Sequence, residues 1–409
     1  MKKDPYATWQ SAPAIAHDAA ASIDELVTRA TALQPLFLKN AAESEKNRRA
    51  SQENIEAIAA AGLFRLMVPK RYGGYEGTLK SQLEISSAVA EGCGGTGWVV
   101  ALTNVCAWFT GLFSERAQDD VFGVNPDARV AGVFNPSVDT RRVDGGIRLS
   151  GKWYFSSGIL HADWAMVGAL EHDANGAVVA QYLALVPITD VTIEDTWYTA
   201  GMRASGSNCT VAKDIFVPDH RLLKMGEALK GNYASERKEI AAYRGAFVPV
   251  AALILVGPQL GLGRAALKYV IEKAPQRAIA YTSFAKQTDS VVFQMQIAEA
   301  ALKIDTAHAL AHHVADIIDD AAQRDQALPY VERVRSRAQT GVIITHVTEA
   351  LTTLLSAHGA GSFAEASPMQ RIWRDSNTAA RHAVGLPAIG AELYGKALLG
   401  VENTVTELV

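Results

Sequence analysis

Gly151-Lys152-Trp153-Tyr154-Phe155-Ser156-Ser157-Gly158, followed by His161-Ala162-Asp163-Trp164, is the stretch on which the reading of the fold turns. An aromatic, strand-prone run ends in Ser-Gly, a turn pair, and a second apolar run starts at Trp164. Working outward, the turn signals continue on both sides. Asp144-Gly145-Gly146 separates Arg141-Arg142-Val143 from Ile147-Arg148-Leu149-Ser150, a hairpin signal. Asp173-Ala174-Asn175-Gly176 separates the apolar runs 164–170 and 178–186 and predicts a second hairpin. Runs 191–197 and 209–217 are also strand-like. Residues 124–222 are therefore expected to form a compact antiparallel, barrel-like β domain.

Helical patterning flanks this segment. Ala- and Glu-rich sequence over 40–61 predicts helix, with Gly62 as its C-cap. The connection 62–74 reads as turns, and helix is expected again over 81–91 and 96–113. After residue 222 the helical period returns. Val331, Val334, Ala338 and Val342 mark one expected face of a long helix. Long helical stretches without a sheet predict a bundle of four. The expected class is α+β, mostly α. It divides into an N-terminal helical domain (1–123), a central β domain (124–222) and a C-terminal four-helix bundle (223–409).

Composition narrows the function. The 409 residues are 49% apolar, enough for a large core. With 39 basic against 43 acidic residues the net charge is −4, and no basic block stands out, so nucleic acid is not an expected partner. Cys93, Cys106 and Cys209 form no CxxC pair, which fits a reducing cytoplasm. The start, MKKDPYATWQ, lacks the apolar core of a signal peptide. The apolar run 247–257 contains Pro249 and is too short to span a bilayer, so no membrane association is expected.

Some motifs fail on context. Gly261-Leu262-Gly263-Arg264-Ala265-Ala266 matches GxGxxA but sits inside a helical run, where close helix packing explains it better than a dinucleotide. His308, His312 and His313 have helical spacing but no HExxH pattern, and no metal is expected.

Four stretches in order carry a resemblance: GLFRLMVPKRYGGYEG (62–77), the 151–164 stretch, Gly201-Met202-Arg203-Ala204-Ser205-Gly206-Ser207, and Gln370-Arg371-Ile372-Trp373-Arg374-Asp375. Together they resemble the acyl-CoA dehydrogenase superfamily. RRASQENIEAIAAAGL (48–63), GCGGTGWVVAL (92–102), WYFSSGILHADW (153–164), RDSNTAARHA (374–383) and the tail ALLGVENTVTELV (397–409) are similar to a subgroup within it. That subgroup is the oxygenase components of two-component flavin-dependent monooxygenases, typified by p-hydroxyphenylacetate hydroxylase.

The resemblance implies an enzyme that uses reduced FMN or FAD and O2, through a flavin C4a-hydroperoxide, to oxygenate a small aromatic or heteroaromatic molecule. Relatives act on phenols, steroid-derived phenols, thiophenes and indoles. It also implies a homotetramer and a separate NAD(P)H-dependent reductase that supplies reduced flavin by diffusion. Two alternatives stand: an acyl-CoA dehydrogenase or oxidase with an unusual base, and a non-catalytic flavin-binding paralogue. Against the first, the usual base lies about nine residues after the Arg of the Arg-Asp pair, and counting from Arg374 reaches Ala383. The other base position falls within 244–269, which contains no Asp or Glu.

The same resemblance assigns roles, each beside a plainer one. His382 is expected to hold or pass a proton near the flavin, or else to be a core histidine. Ser157 is expected against flavin N5, or else as a strand-end turn residue; Gly158 follows it. Ser156 is expected on the isoalloxazine, with Trp153 or Phe155 on or beside the ring. Arg277 resembles an arginine that reaches a flavin phosphate, often across a subunit boundary, or is a solvated helix residue. Arg244 resembles a pocket arginine facing reduced flavin or an anionic substrate, or is a surface ion pair. Where the hydroxylases commonly carry a His that binds a phenol, this chain has Cys106, with Trp108 nearby and Trp98 completing the expected pocket. A thiol and an indole make a poor phenolate site, so an apolar aromatic substrate, such as an indole, is favoured. Both are otherwise ordinary helix-core residues.

Overall fold

A computed structural model describes residues 21–409 except 138 and 174. The start MKKDPYATWQ and Ala174 of the second turn lie outside the described residues. Among the described residues six helices come first: α1 (Ile23–Ala32), α2 (Gln34–Asn47), α3 (Gln52–Ala60), α4 (Leu79–Gly92), α5 (Gly94–Thr110) and α6 (Glu115–Gln118). Ser22, Ser51 and Thr78 cap α1, α3 and α4 by accepting from the N–H groups of Glu25, Asn54 and Ser81. The helix expected over 40–61 is two helices. Arg48 turns left-handed (φ 52°) to end α2, and Ser51 starts the next helix.

Eight strands follow: β1 (Val130–Ser137), β2 (Asp139–Val143), β3 (Gly146–Ser156), β4 (Trp164–His172), β5 (Val178–Pro187), β6 (Thr192–Glu194), β7 (Asn208–Pro218) and β8 (Leu222–Lys224). Both expected hairpins form, β2–β3 with Gly145 at φ 72° and β4–β5. The strands make two four-stranded sheets, ordered β1-β4-β5-β8 and β2-β3-β7-β6. One pairing departs from the antiparallel expectation: β1 runs parallel to β4. Leu149, Trp153, Val167 and Ala184 belong to a core of their own within these sheets.

The remaining helices are α7 (Met225–Ala228), α8 (Phe247–Leu253), α9 (Val256–Lys273), α10 (Val291–Gln323), α11 (Tyr330–His358), α12 (Pro368–Ala379) and α13 (Pro387–Leu398). Their core is continuous with that of the N-terminal helices. The seam is α4 against α9, and glycine makes it close. A Cβ at Gly261 would stand 2.1 Å from the Ser87 carbonyl oxygen, and one at Gly263 would meet Ile304 and Val347. The GxGxxA stretch is thus a helix-packing surface. The helical stretch Phe247–Gln276 is long and apolar enough to cross a membrane, yet 78% of its apolar window is buried inside the protein.

The stripe expected on α11 is not its buried face. Val334 is buried, but Val331 and Val342 are exposed. The packed positions are Val334, Arg337, Gly341, Ile344, Val347, Leu351 and Leu354. His308 meets Arg264 (3.0 Å between Nδ1 and Nη2), and His312 faces Glu84 at 3.9 Å. Among the described residues no group of three or more His, Cys, Asp or Glu is placed to hold a metal ion.

Candidate active site

Strand β3 breaks its register with β7 between Trp153 and Ser156. Phe155 sits there at φ 69°, a left-handed conformation that is strained for an aromatic residue. A bulge of this kind re-aims the side chains that follow it. Ser157 turns inward, its N–H donating to the Phe155 carbonyl, and Gly158 (φ 76°) donates to the Ser205 carbonyl at 3.0 Å.

There Ser157 meets Trp98, also singled out in the sequence, and Trp98 in turn lies beside His382. Trp98, on α5, donates its indole Nε1–H to Ser157 Oγ at 3.0 Å. The Trp98 ring also lies beside the His382 imidazole, with ring centres 5.9 Å apart. His382 sits at the N-cap of the short turn Ala383–Gly385. Its Nδ1 is enclosed and has no hydrogen-bond partner among the described residues, although the residue as a whole keeps some exposure. Burial pushes its pKa down to about 4, so the ring is neutral at pH 7. The expected proton shuttle near neutral pH is, in the chain as it stands, a neutral imidazole with one nitrogen unmatched.

Two serines of the third sequence motif extend the group. Ser157 Oγ lies 2.8 Å from Ser207 Oγ, which lies 2.6 Å from Ser205 Oγ, and all three are buried. Their loop is held by Asp375 of α12, whose Oδ1 accepts from the Met202 N–H at 2.6 Å. Burial raises the Asp375 pKa to about 6. The sequence marked these motifs but assigned Ser205, Ser207 and Asp375 no part. The alternation of Ser205 and Ser207 across Gly206 was the available signal.

Other residues go elsewhere. Ser156 points into its sheet, donating to the Trp153 carbonyl and accepting from Thr210. Trp153 is 2% exposed in the β core, its Nε1 donating to the Gly168 carbonyl, so no face of its ring is open to a ligand. Phe155 is the opposite, 70% exposed with its ring edge-on to Trp197.

Cys106 and Trp108 lie on different sides of α5. Cys106 backs onto β1, where a Cβ on Gly132 would meet its Sγ at 2.8 Å, and burial raises its thiol pKa to about 12. Trp108 packs against Tyr233 and Phe247 and gives its indole N–H to the Ala242 carbonyl at 2.6 Å. An aromatic residue on the same face of α5 as Trp98 is Phe109, eleven positions on and ~16 Å along the helix. Phe109 packs at 4.7 Å from both Phe134 and Phe247. The i, i+11 spacing of Trp98 and Phe109 is the sequence signal for that shared face.

Arg244 lines a cavity of about 570 Å³ with Tyr233, Phe247 and Arg333, donates to the Lys238 carbonyl, and stands 3.5 Å from Asp325. Arg277 donates to the His358 carbonyl at the far end of α11. Arg337, which bonds the Val384 carbonyl beside His382, is 21 residues and ~30 Å from that end. The structure therefore brings Trp98, Ser157 and His382 together, and leaves Arg277 apart from them within one chain.

A flavin offers a flat apolar ring and a polar edge of nitrogens and oxygens. The residues fit such a group. Ser157 Oγ has two of its three hydrogen-bonding positions filled, and His382 Nδ1 is buried without a partner. The fold is that of the acyl-CoA dehydrogenases: residues 28–122 match the family description "Acyl-CoA dehydrogenase, N-terminal domain", and 253–385 match "Acyl-CoA dehydrogenase, C-terminal domain". The chain is 31% identical over 381 residues to the oxygenase subunit HsaA of a flavin-dependent monooxygenase from Rhodococcus jostii, covering 92% of this chain and 99% of the relative. It is 32% identical over 398 residues to the oxygenase component of an FADH2-dependent resorcinol hydroxylase from a Rhizobium, covering 92% and 94%. The solved structure of XiaF from a Streptomyces, in complex with FADH2 and glycerol, superposes with a TM-score of 0.87 at 39% identity, covering 94% of this chain and 97% of XiaF. The chain belongs to the oxygenase components of the flavin-dependent monooxygenases, enzymes that work with reduced flavin.

Proposed function

We propose that this enzyme takes reduced FMN or FAD from a separate NAD(P)H-dependent reductase and uses O2 to oxygenate an uncharged aromatic or heteroaromatic molecule. The observation that carries the reading is the grouping of Trp98, Ser157 and His382 where no carboxylate stands at the dehydrogenase base positions: Ala383 fills one, and 244–269 holds no Asp or Glu.

Bound flavin supplies the activation of oxygen. The chain supplies the rest. Ser157 would offer its unfilled hydrogen-bonding position to the N5 edge of a bound flavin. His382 offers its unmatched Nδ1 as a neutral donor or acceptor for the proton that must move. Phe155 offers an open aromatic face, while Trp153 and Ser156 fix the strand beneath it. Phe109, Phe134 and Phe247 keep water from the substrate side. Cys106 stays a neutral thiol and the Trp108 N–H is already used, so nothing on that part of α5 stabilises a phenolate.

Arg277 lies apart from Ser157 and His382 within one chain and would reach a flavin phosphate from a neighbouring copy, which is one reason to place the enzyme as a homotetramer. A second is the set of exposed apolar residues on α10, α11 and α13, including Met295, Leu302, Val342 and Leu398. The cytoplasm, where reduced pyridine nucleotides are made, is the proposed location.

The test is a single turnover. Protein is loaded anaerobically with reduced flavin and mixed with ¹⁸O2 and a panel of indoles, phenols and thiophenes. One ¹⁸O atom in the product is expected. Anaerobic bleaching of bound oxidised flavin by an acyl-CoA thioester would overturn the reading in favour of a dehydrogenase.

A further inference from the structure

The indole N–H of Trp98 can only donate, so it always fills one lone pair of the Ser157 hydroxyl. What remains to Ser157 depends on Ser207. If Ser157 donates to Ser207, and Ser207 to Ser205, Ser157 keeps one free lone pair and can only accept from a ligand. If the chain runs from Ser205 to Ser207 to Ser157, both lone pairs are filled and Ser157 can only donate. Each contact, at 2.8 and 2.6 Å, accommodates a donor at either end. The two senses interconvert by rotation of three hydroxyl hydrogens, with no proton gained or lost.

We infer that Ser207 and Ser205 are positioning residues that set the donor or acceptor sense of Ser157 toward the flavin. The inference rests on the flavin site proposed above. Reduced flavin carries a hydrogen on N5 and needs an acceptor; oxidised flavin has a bare N5 and needs a donor. A reversible hydroxyl chain lets one side chain serve both, so the cofactor is held as it arrives and as it leaves. The burial of both serines, 2% and 1% exposed, keeps water from replacing them in the chain. The Gly158 N–H on the Ser205 carbonyl and Asp375 on the Met202 N–H hold the loop that carries them.

Ser207→Val and Ser207→Thr form the test pair, because the two side chains share a shape and differ by the hydroxyl. Dissociation constants for reduced and oxidised flavin are measured separately, the former anaerobically. Ser207→Val is expected to change the ratio of the two by about three- to tenfold, and Ser207→Thr to restore it. The Trp98 indole N–H resonance in flavin-free, ¹⁵N-tryptophan-labelled protein should shift in Ser207→Val and stay near the wild-type position in Ser207→Thr. Equal behaviour of Val and Thr in both measurements would mean that Ser207 only fills space, and would overturn the inference. Ser157→Ala separates the two levels. If flavin binds and Ser157→Ala leaves both constants untouched, the placement of flavin against Ser157 is wrong, and this inference falls with it. If Ser157→Ala weakens binding while Ser207→Val leaves the ratio alone, only this inference falls.

Discussion

The indole Nε1 of Trp98 donates to Ser157 Oγ across 3.0 Å, joining helix α5 to the end of strand β3. One hydrogen bond thus links the helical core to the β domain at the point where the cofactor is proposed to bind. Trp98→Phe keeps the ring and removes the donor. The net value of such a bond is about 1 kcal/mol, so reduced-flavin affinity should fall about fivefold with little change in melting temperature. Anaerobic flavin titration beside calorimetry checks this. An unchanged affinity would make the contact purely structural.

His382 should leave a signature in the pH dependence of stability. Its ordinary pKa of 6.5 is lowered to about 4 by burial, so between those values the unfolded chain binds a proton that the folded chain refuses. Its contribution is therefore present above pH 6.5 and is lost as the pH falls toward 4. Denaturant unfolding at pH 4.5 and 7 should show a smaller difference for His382→Leu than for wild type. The slope will not vanish, because burial also lowers the pKa of His308 and His161. A steeper slope in the variant would contradict the burial argument.

Asp375 acts with the opposite sign. Its pKa rises from 3.8 to about 6, so in that window the folded chain holds a proton that the unfolded chain has released, and stability drops as the pH rises. Asp375→Asn cannot ionise but can still accept from the Met202 N–H. The variant should match wild type near pH 4 and equal or exceed it near pH 7.5. Asp375→Ala, which strands a buried N–H, should lose about 1–3 kcal/mol at both. An Asn variant that is much weaker only at high pH would show that the charged carboxylate is required.

Gly261→Ala probes the seam between α4 and α9. The new methyl would fall 2.1 Å from the backbone oxygen of Ser87, which cannot rotate away. Overpacking of this kind should cost about 1–3 kcal/mol and separate the two helices slightly. A melting temperature equal to wild type would show that the seam is looser than its glycines indicate.

Much of this architecture was readable from residue patterns. Asp144-Gly145 and the 173–176 turn announced their hairpins because two-residue and Asn-Gly turns need left-handed backbone that few other residues accept. The long helix α11 is legible in the sequence, but its buried face is not. It is packed on several sides, by α9, α10 and α13, so no single stripe marks its inside, and Gly341 and Thr340 are as buried as Val334. The parallel pairing of β1 with β4 had no local signal, since it depends on chain segments more than thirty residues apart. At the proposed site, Ser157 and His382 stand out in the sequence as candidates through the motifs that contain them. Ser205 and Ser207, which the fold joins to Ser157, do not stand out in the same way, because a hydroxyl taken alone does not announce its partners in three dimensions.

The shared core of the first and last helices has a consequence for how the protein is made. Leu83 and Ser87 on α4 pack against Gly257 and Gly261 on α9, more than 160 residues later in the chain. At typical ribosomal speeds of about 5–20 residues per second, α4 waits roughly 10–30 seconds for its partner to emerge. During that interval the face of α4 that α9 later covers stays open to solvent, the kind of transiently exposed surface that chaperones shield.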